Sequence, residues 1–284
     1  MTFATTLASL ISIYAIARNA GTSPTDTFRL LGWWPASLLD VAKTILLVAI
    51  LFAGPLFEAG AAEGQWRYWI RGSHIGEVLG SWIGWRNFVV VRISYKPQHR
   101  TTQPLTYFTQ GPMTEELIWR SLIIPLHLLA KVSPTKIVFI TPLYFGIAHV
   151  HHYYEFRLTH PHTPALPALL RSLFQFTYTS LFGFFAAFVF LRTGNVYGVI
   201  LAHSFCNWMG LPRFWGRIGV EAGVPIGPPE ADGRLDNAPE GRAAGGSLGI
   251  TWTLAYYSLL VCGAVGFWMG LRPLTESPRA LARI

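Results

Sequence analysis

Residues 111–126 read "GPMTEELIWRSLIIPL", an apolar run headed by Glu115, Glu116 and Arg120. Ionisable side chains at membrane depth are costly and normally face a polar cavity with a partner. On a helix Glu116 and Arg120 are four residues apart with the acid N-terminal, the favourable order for an ion pair. Glu115 is turned by about 100° from Glu116 and is left to point elsewhere, so the two carboxylates have different tasks. Spacing alone also allows a solvated helix head at the end of a span, where charges are common.

The rest of the chain decides which setting applies. Of its 284 residues, 51% are hydrophobic and only 13% charged, and the mean hydropathy is +0.37. Soluble domains carry about 25% charged residues, so this composition is that of a membrane protein. The net charge of +8 comes from basic residues that mostly flank apolar runs, the arrangement that anchors segments beside anionic lipid rather than nucleic acid. The two cysteines, Cys206 and Cys262, both lie in apolar segments and build neither a disulfide framework nor a structural zinc site.

Apolar runs at about 3–17, 38–57, 114–130, 134–150, 167–191, 195–211 and 250–271 are the candidate spans. Pro125, Pro142, Gly146 and Gly183 interrupt them, as in helices packed closely around a cavity. The expected fold is all-α, a polytopic transmembrane bundle of about seven helices forming a single membrane domain over 1–284. The Trp-rich stretch "GQWRYWIRGSHIGEVLGSWIGWRN" (64–87) reads as interfacial, and the Gly/Pro-rich 212–248 as an extramembrane loop.

Two further clusters call for explanation. In "YFGIAHVHHYYE", His149 ends an apolar run, with His151, His152 and Glu155 following. In "LAHSFCNWMG", His203 and Asn207 lie one helical turn apart inside a span and share a face. A carboxylate, two imidazoles and a carboxamide allow three chemistries. Zinc held by Glu115, His149 and His203 would hydrolyse a peptide, although no HExxH is present and the ligands come from three helices. A Cys206 nucleophile would need a base, and buried thiols are usually inert. In the third, Glu115 takes a proton from a water also held by His149, and His203 with Asn207 donates hydrogen bonds to the oxyanion. No cofactor or metal is then required.

"EELIWR" resembles the EExxxR motif, "FGIAH" the FxxxH motif and "HSFCN" the HxxxN motif of the type II CAAX prenyl endopeptidases, glutamate intramembrane proteases of the ABI (CPBP) family, in that order along the chain. Longer strings, "PLYFGIAHVHHYYE" and "LFQFTYTSLFGFFAAFVFLRTGNVYGVILAHSFCNWMG", are similar to the eukaryotic, fungal-like branch. The resemblance implies a multi-pass endoplasmic-reticulum enzyme of about eight transmembrane helices around a cavity open to the cytosol. It implies substrates that are farnesylated or geranylgeranylated CAAX proteins such as small GTPases, losing their last three residues. Carried over by motif, Glu115 is the base, Glu116 and Arg120 support it, His149 binds the water, and His203 and Asn207 form the oxyanion site. One departure stands out: "VRISYKPQHRTTQPLTYFTQ" (91–110) separates "WRNFVV" from "GPMTEE", which run almost together in the family. Val-Arg, Leu-Thr and Thr-Gln can be encoded by GTAAG, CTAAC and ACACAG, which resemble the donor, branch and acceptor signals of a short fungal intron. The expectation is that 91–110 is a retained intron, placed just before the catalytic helix.

Overall fold

The computed structural model of the chain describes residues 3–19, 23–71, 112–218 and 248–284. The interfacial stretch beyond residue 71, the 91–110 insert and residues 219–247 of the expected loop lie outside the described residues. All regular structure among the described residues is helical, with no strand. The elements are α1 (Phe3–Asn19), α2 (Pro24–Leu30), α3 (Leu38–Leu51), α4 (Ala53–Phe57) with a π-helical turn (Glu58–Ala62), and α5 (Trp66–Arg71). There follow α6 (Pro112–Glu116), a π-helical stretch (Leu117–Leu122), α7 (Ile123–Leu129), α8 (Pro134–Ala148), α9 (His151–Thr159), α10 (Ala165–Thr193), α11 (Val196–Met209), α12 (Ile250–Gly270) and a 3-10 turn (Pro273–Thr275).

Each expected span contains a helix, but most are short. By length and composition α10 and α12 can cross a bilayer, and a third span results if α3 and Ala53–Ala62, broken at Phe52, count as one. The breaks follow from local chemistry. Pro24 and Pro134 open α2 and α8 at the position where a missing N–H costs nothing. Gly194 ends α10 in the left-handed region, at φ 57°.

The chain groups into two compact units. The first comprises the described parts of Met1–Val48, Glu77–Trp208 and Gly270–Ile284. Its core is built on α8 and α10 with Ile124, Ile137, Ala187, Phe190 and Val199. These two helices approach through small residues: a Cβ on Gly183 would stand 2.6 Å from Pro142 Cβ, and one on Gly146 2.5 Å from Ser180 Oγ. The tail beyond α12 is pinned to the end of α10 by Arg192, which donates to Thr275 Oγ1 (2.8 Å), Arg272 O (3.0 Å) and Ile284 O (3.1 Å). The buried Asp40 of α3 accepts a hydrogen bond from Ser277 Oγ of the same tail at 2.8 Å.

The second unit comprises the described parts of Ala49–Gly76 and Met209–Met269. In it α12 packs on the α3–α4 segment, where a Cβ on Gly263 would collide with the Ile50 carbonyl oxygen. Phe57 stacks on Trp252 at 5.4 Å, and the half-buried Glu58 and Arg213 form an ion pair at 2.9 Å. Tyr256 O–H donates to Arg213 O and accepts from Arg213 N, at 3.1 and 2.8 Å.

Candidate active site

Glu115 and Glu116 close α6, and the next six residues adopt π geometry. Single π turns inside helices concentrate at functional sites, because they redirect side chains that an unbroken α-helix would hold in fixed rows. Arg120 nevertheless still reaches Glu116. Its Nη1 donates to Glu116 Oε1 at 3.0 Å and lies 3.0 Å from Oε2. The pair is buried, with Glu116 0% and Arg120 2% exposed.

The same Oε1 accepts a second hydrogen bond, from His203 Nδ1 at 2.7 Å, across 87 residues of sequence. His203 Nε2 is turned toward the other carboxylate, 3.8 Å from Glu115 Oε2. One imidazole therefore spans both acids. Glu115 meets it beyond hydrogen-bond distance. Among the described residues no group of three or more His, Cys, Asp or Glu side chains is arranged to hold a metal ion.

Aromatic rings and one carbonyl complete the surroundings. The Arg120 guanidinium lies 5.1 Å from the Phe145 ring and 5.7 Å from the Phe182 ring, and its Nη2 is 3.4 Å from Gly183 O. Phe182 is also 4.6 Å from the His203 ring, and Phe145 stands edge-on to His203 at 6.4 Å and to His149 at 4.6 Å. His149 caps α8, and its Nδ1 donates to Phe145 O at 2.7 Å. In a neutral imidazole with its proton on Nδ1, Nε2 keeps a lone pair that can accept from water.

Of the residues singled out from sequence, Glu115, Glu116, Arg120 and His203 form one cluster, and His149 joins it through Phe145. Asn207 lies one turn beyond His203 on α11 and is exposed. Cys206 is a free thiol. What sequence reading missed is Phe182 and the Gly183 carbonyl, together with the Glu116–His203 bond. Phe145 opens the quoted "FGIAH", but its role as a shared wall has no signal in spacing.

An apolar cavity of about 320 Å³ is lined by Trp33, Met113, Leu117, Ile200 and Leu201, among others. On a helix Met113 and Leu117 are each turned by about 160° from Glu115. Glu115 and this cavity therefore occupy different faces of α6.

A helical fold with apolar spans and a buried carboxylate–guanidinium–imidazole cluster defines a polytopic membrane protein with a polar site. Residues 97–209 match the family described as Type II CAAX prenyl endopeptidase Rce1-like. The chain is 36% identical over 180 residues to the "Probable CAAX prenyl protease 2" of Schizosaccharomyces pombe, covering 63% of this chain and 58% of that one. It is 35% identical over 196 residues to the "CAAX prenyl protease 2" of Homo sapiens, covering 65% and 50% respectively. With that of Saccharomyces cerevisiae it shares 30% identity over 176 residues, 60% of this chain and 51% of the relative. Residues 97–209 are thus similar to the type II CAAX prenyl endopeptidases, and the chain spans about half the length of the curated relatives it matches. No solved structure matches it.

Proposed function

We propose that this chain is an intramembrane endopeptidase that removes the C-terminal aaX tripeptide from farnesylated or geranylgeranylated CAAX proteins, small GTPases among them. The observation that carries the reading is the contact of His203 with both Glu116, at 2.7 Å, and Glu115, at 3.8 Å. It joins the first and third motifs at one point, with Arg120 closing the far side of Glu116. Two carboxylates thus share one guanidinium and one imidazole, and this partnering lowers the cost of keeping the buried groups from water.

In the proposed reaction a water held by His149 gives a proton to the Glu115 carboxylate as its oxygen bonds to the scissile carbonyl carbon. The carbonyl oxygen becomes an oxyanion and accepts hydrogen bonds from His203 Nε2–H and the Asn207 side-chain amide. Collapse breaks the C–N bond, and Glu115 returns its proton to the departing amine. Glu116 and Arg120 hold His203 in place. About seven or eight transmembrane helices around a cytosol-facing cavity in the endoplasmic-reticulum membrane are the setting of this reading, with 91–110 a retained intron; sequencing of spliced transcripts tests the latter.

The test of the chemistry is incubation of the purified chain in detergent with a farnesylated CAAX peptide, with and without a zinc chelator. Release of the intact tripeptide, unaffected by chelation, is expected. Inhibition by chelator that added zinc reverses would transfer the same residues to a metal mechanism.

A further inference from the structure

Arg171, in the early turns of α10, is a half-buried cation that pairs with no carboxylate among the described residues. Its guanidinium carbon lies 4.5 Å from the centre of the Phe156 ring of α9, and the same ring stacks on His160 at 4.5 Å and 19°. Arg157, the arginine of α9, is committed to fixing the turn into α10 by donating to Thr163 O at 2.5 Å.

An arginine resting on an aromatic ring is common at protein surfaces, but two features of placement set Arg171 apart. His149 caps α8, and α9 begins two residues later at His151, so Phe156 lies within two turns of the start of α9, about 8 Å along its axis at 1.5 Å per residue. An extended tripeptide spans about 10 Å. A peptide bond attacked beside His149 would therefore place the end of a three-residue leaving segment near Phe156. In addition, α10 has 29 residues and is about 43 Å long, against about 30 Å of hydrocarbon in a bilayer. Its Arg171 end adjoins the polar "HHYYEFRLT" of α9, where a carboxylate can arrive without crossing apolar lipid.

We propose that Arg171 binds the C-terminal α-carboxylate of the substrate peptide and so sets the distance from the chain end at which the cut falls. A guanidinium offers paired N–H donors to the two carboxylate oxygens. The assignment rests on the protease reading above and adds a specificity-determining residue to it.

The test compares a farnesylated CAAX peptide bearing a free C-terminal acid with the same peptide as its C-terminal amide, in both binding and turnover. The expected result is that the parent prefers the acid by about tenfold in kcat/KM. Arg171→Ala should bring the acid/amide ratio to about one, through a raised KM for the acid, with the amide unaffected; Arg171→Lys should recover part of the preference. The inference is overturned if the parent turns over acid and amide equally, or if Arg171→Ala leaves the ratio unchanged. It is likewise overturned if the loss in Arg171→Ala is the same for both peptides and is repaired by anionic lipid, which would assign the cation to a lipid headgroup. Arg171-dependent binding of the acid by a parent that cleaves neither peptide would count against the glutamate mechanism and leave this site standing.

Discussion

Replacing Arg120 by methionine keeps the apolar stem and removes the guanidinium. Glu116, 0% exposed, would then face a low-dielectric interior with only His203 as partner, having lost the donor 3.0 Å from both its oxygens. Breaking a buried pair from one side costs about 3–5 kcal/mol, because the remaining charge stays buried without compensation. The contacts of Arg120 with the Phe145 and Phe182 rings are lost as well, at about 0.5–2 kcal/mol each. At about 2–4 °C per kcal/mol, the thermal midpoint in detergent should fall by about 10 °C or more. Followed by tryptophan fluorescence, Arg120→Met should be the worst variant. Glu116→Gln combined with Arg120→Met should cost clearly less than the two single changes added together, since the double variant strands no charge. A single variant that moves the midpoint by less than about 3 °C, or a double variant equal to the sum, would refute the view that this pair is buried and coupled.

The other predictions concern chemistry and packing. Asn207 is exposed on α11, so Asn207→Ala should leave the thermal midpoint unchanged while lowering kcat by about 10²–10³-fold, as for loss of an oxyanion donor; unchanged kcat would remove it from the site. Gly183→Ala would set a methyl group 2.6 Å from Pro142 Cβ, and the overpacking should destabilise by about 1–3 kcal/mol, read as a lower midpoint. Arg192→Ala should free the tail from α10 by removing three hydrogen bonds, costing about 2–3 kcal/mol; protease cleavage between Arg272 and Ile284 should then become faster, and an unchanged digestion pattern would contradict the clamp.

Much of the site was legible because the membrane makes polar residues conspicuous. Glu116 and Arg120 were placed together by the helical repeat alone, and they do pair at 3.0 Å. Gly146 and Gly183 read as places for close helix approach or bending, and α8 and α10 do meet closely at both. The Glu116–His203 bond was not legible, since 87 residues separate the partners and no local pattern records which faces of α6 and α11 meet. The π stretch Leu117–Leu122 leaves no mark in composition. The aromatic walls were hidden by abundance: with nineteen Phe in the chain, nothing distinguished Phe182 from residues that face lipid, and Phe145 stood out only as the first position of the FxxxH resemblance. The spans were located by hydropathy, but helices such as α8, of 15 residues, are shorter than the about 20 residues that a perpendicular crossing requires.

Glu115 and His203, brought to 3.8 Å, are proposed to cleave a peptide bond together. Initial rates of tripeptide release from a farnesylated CAAX peptide by the parent, Glu115→Ala and His203→Ala, prepared and folded alike, test it most directly. Release by the parent and a loss of at least about 10²-fold in each variant are expected, the contribution of a general base or an oxyanion donor. Release at the parental rate by both folded variants would contradict that joint role.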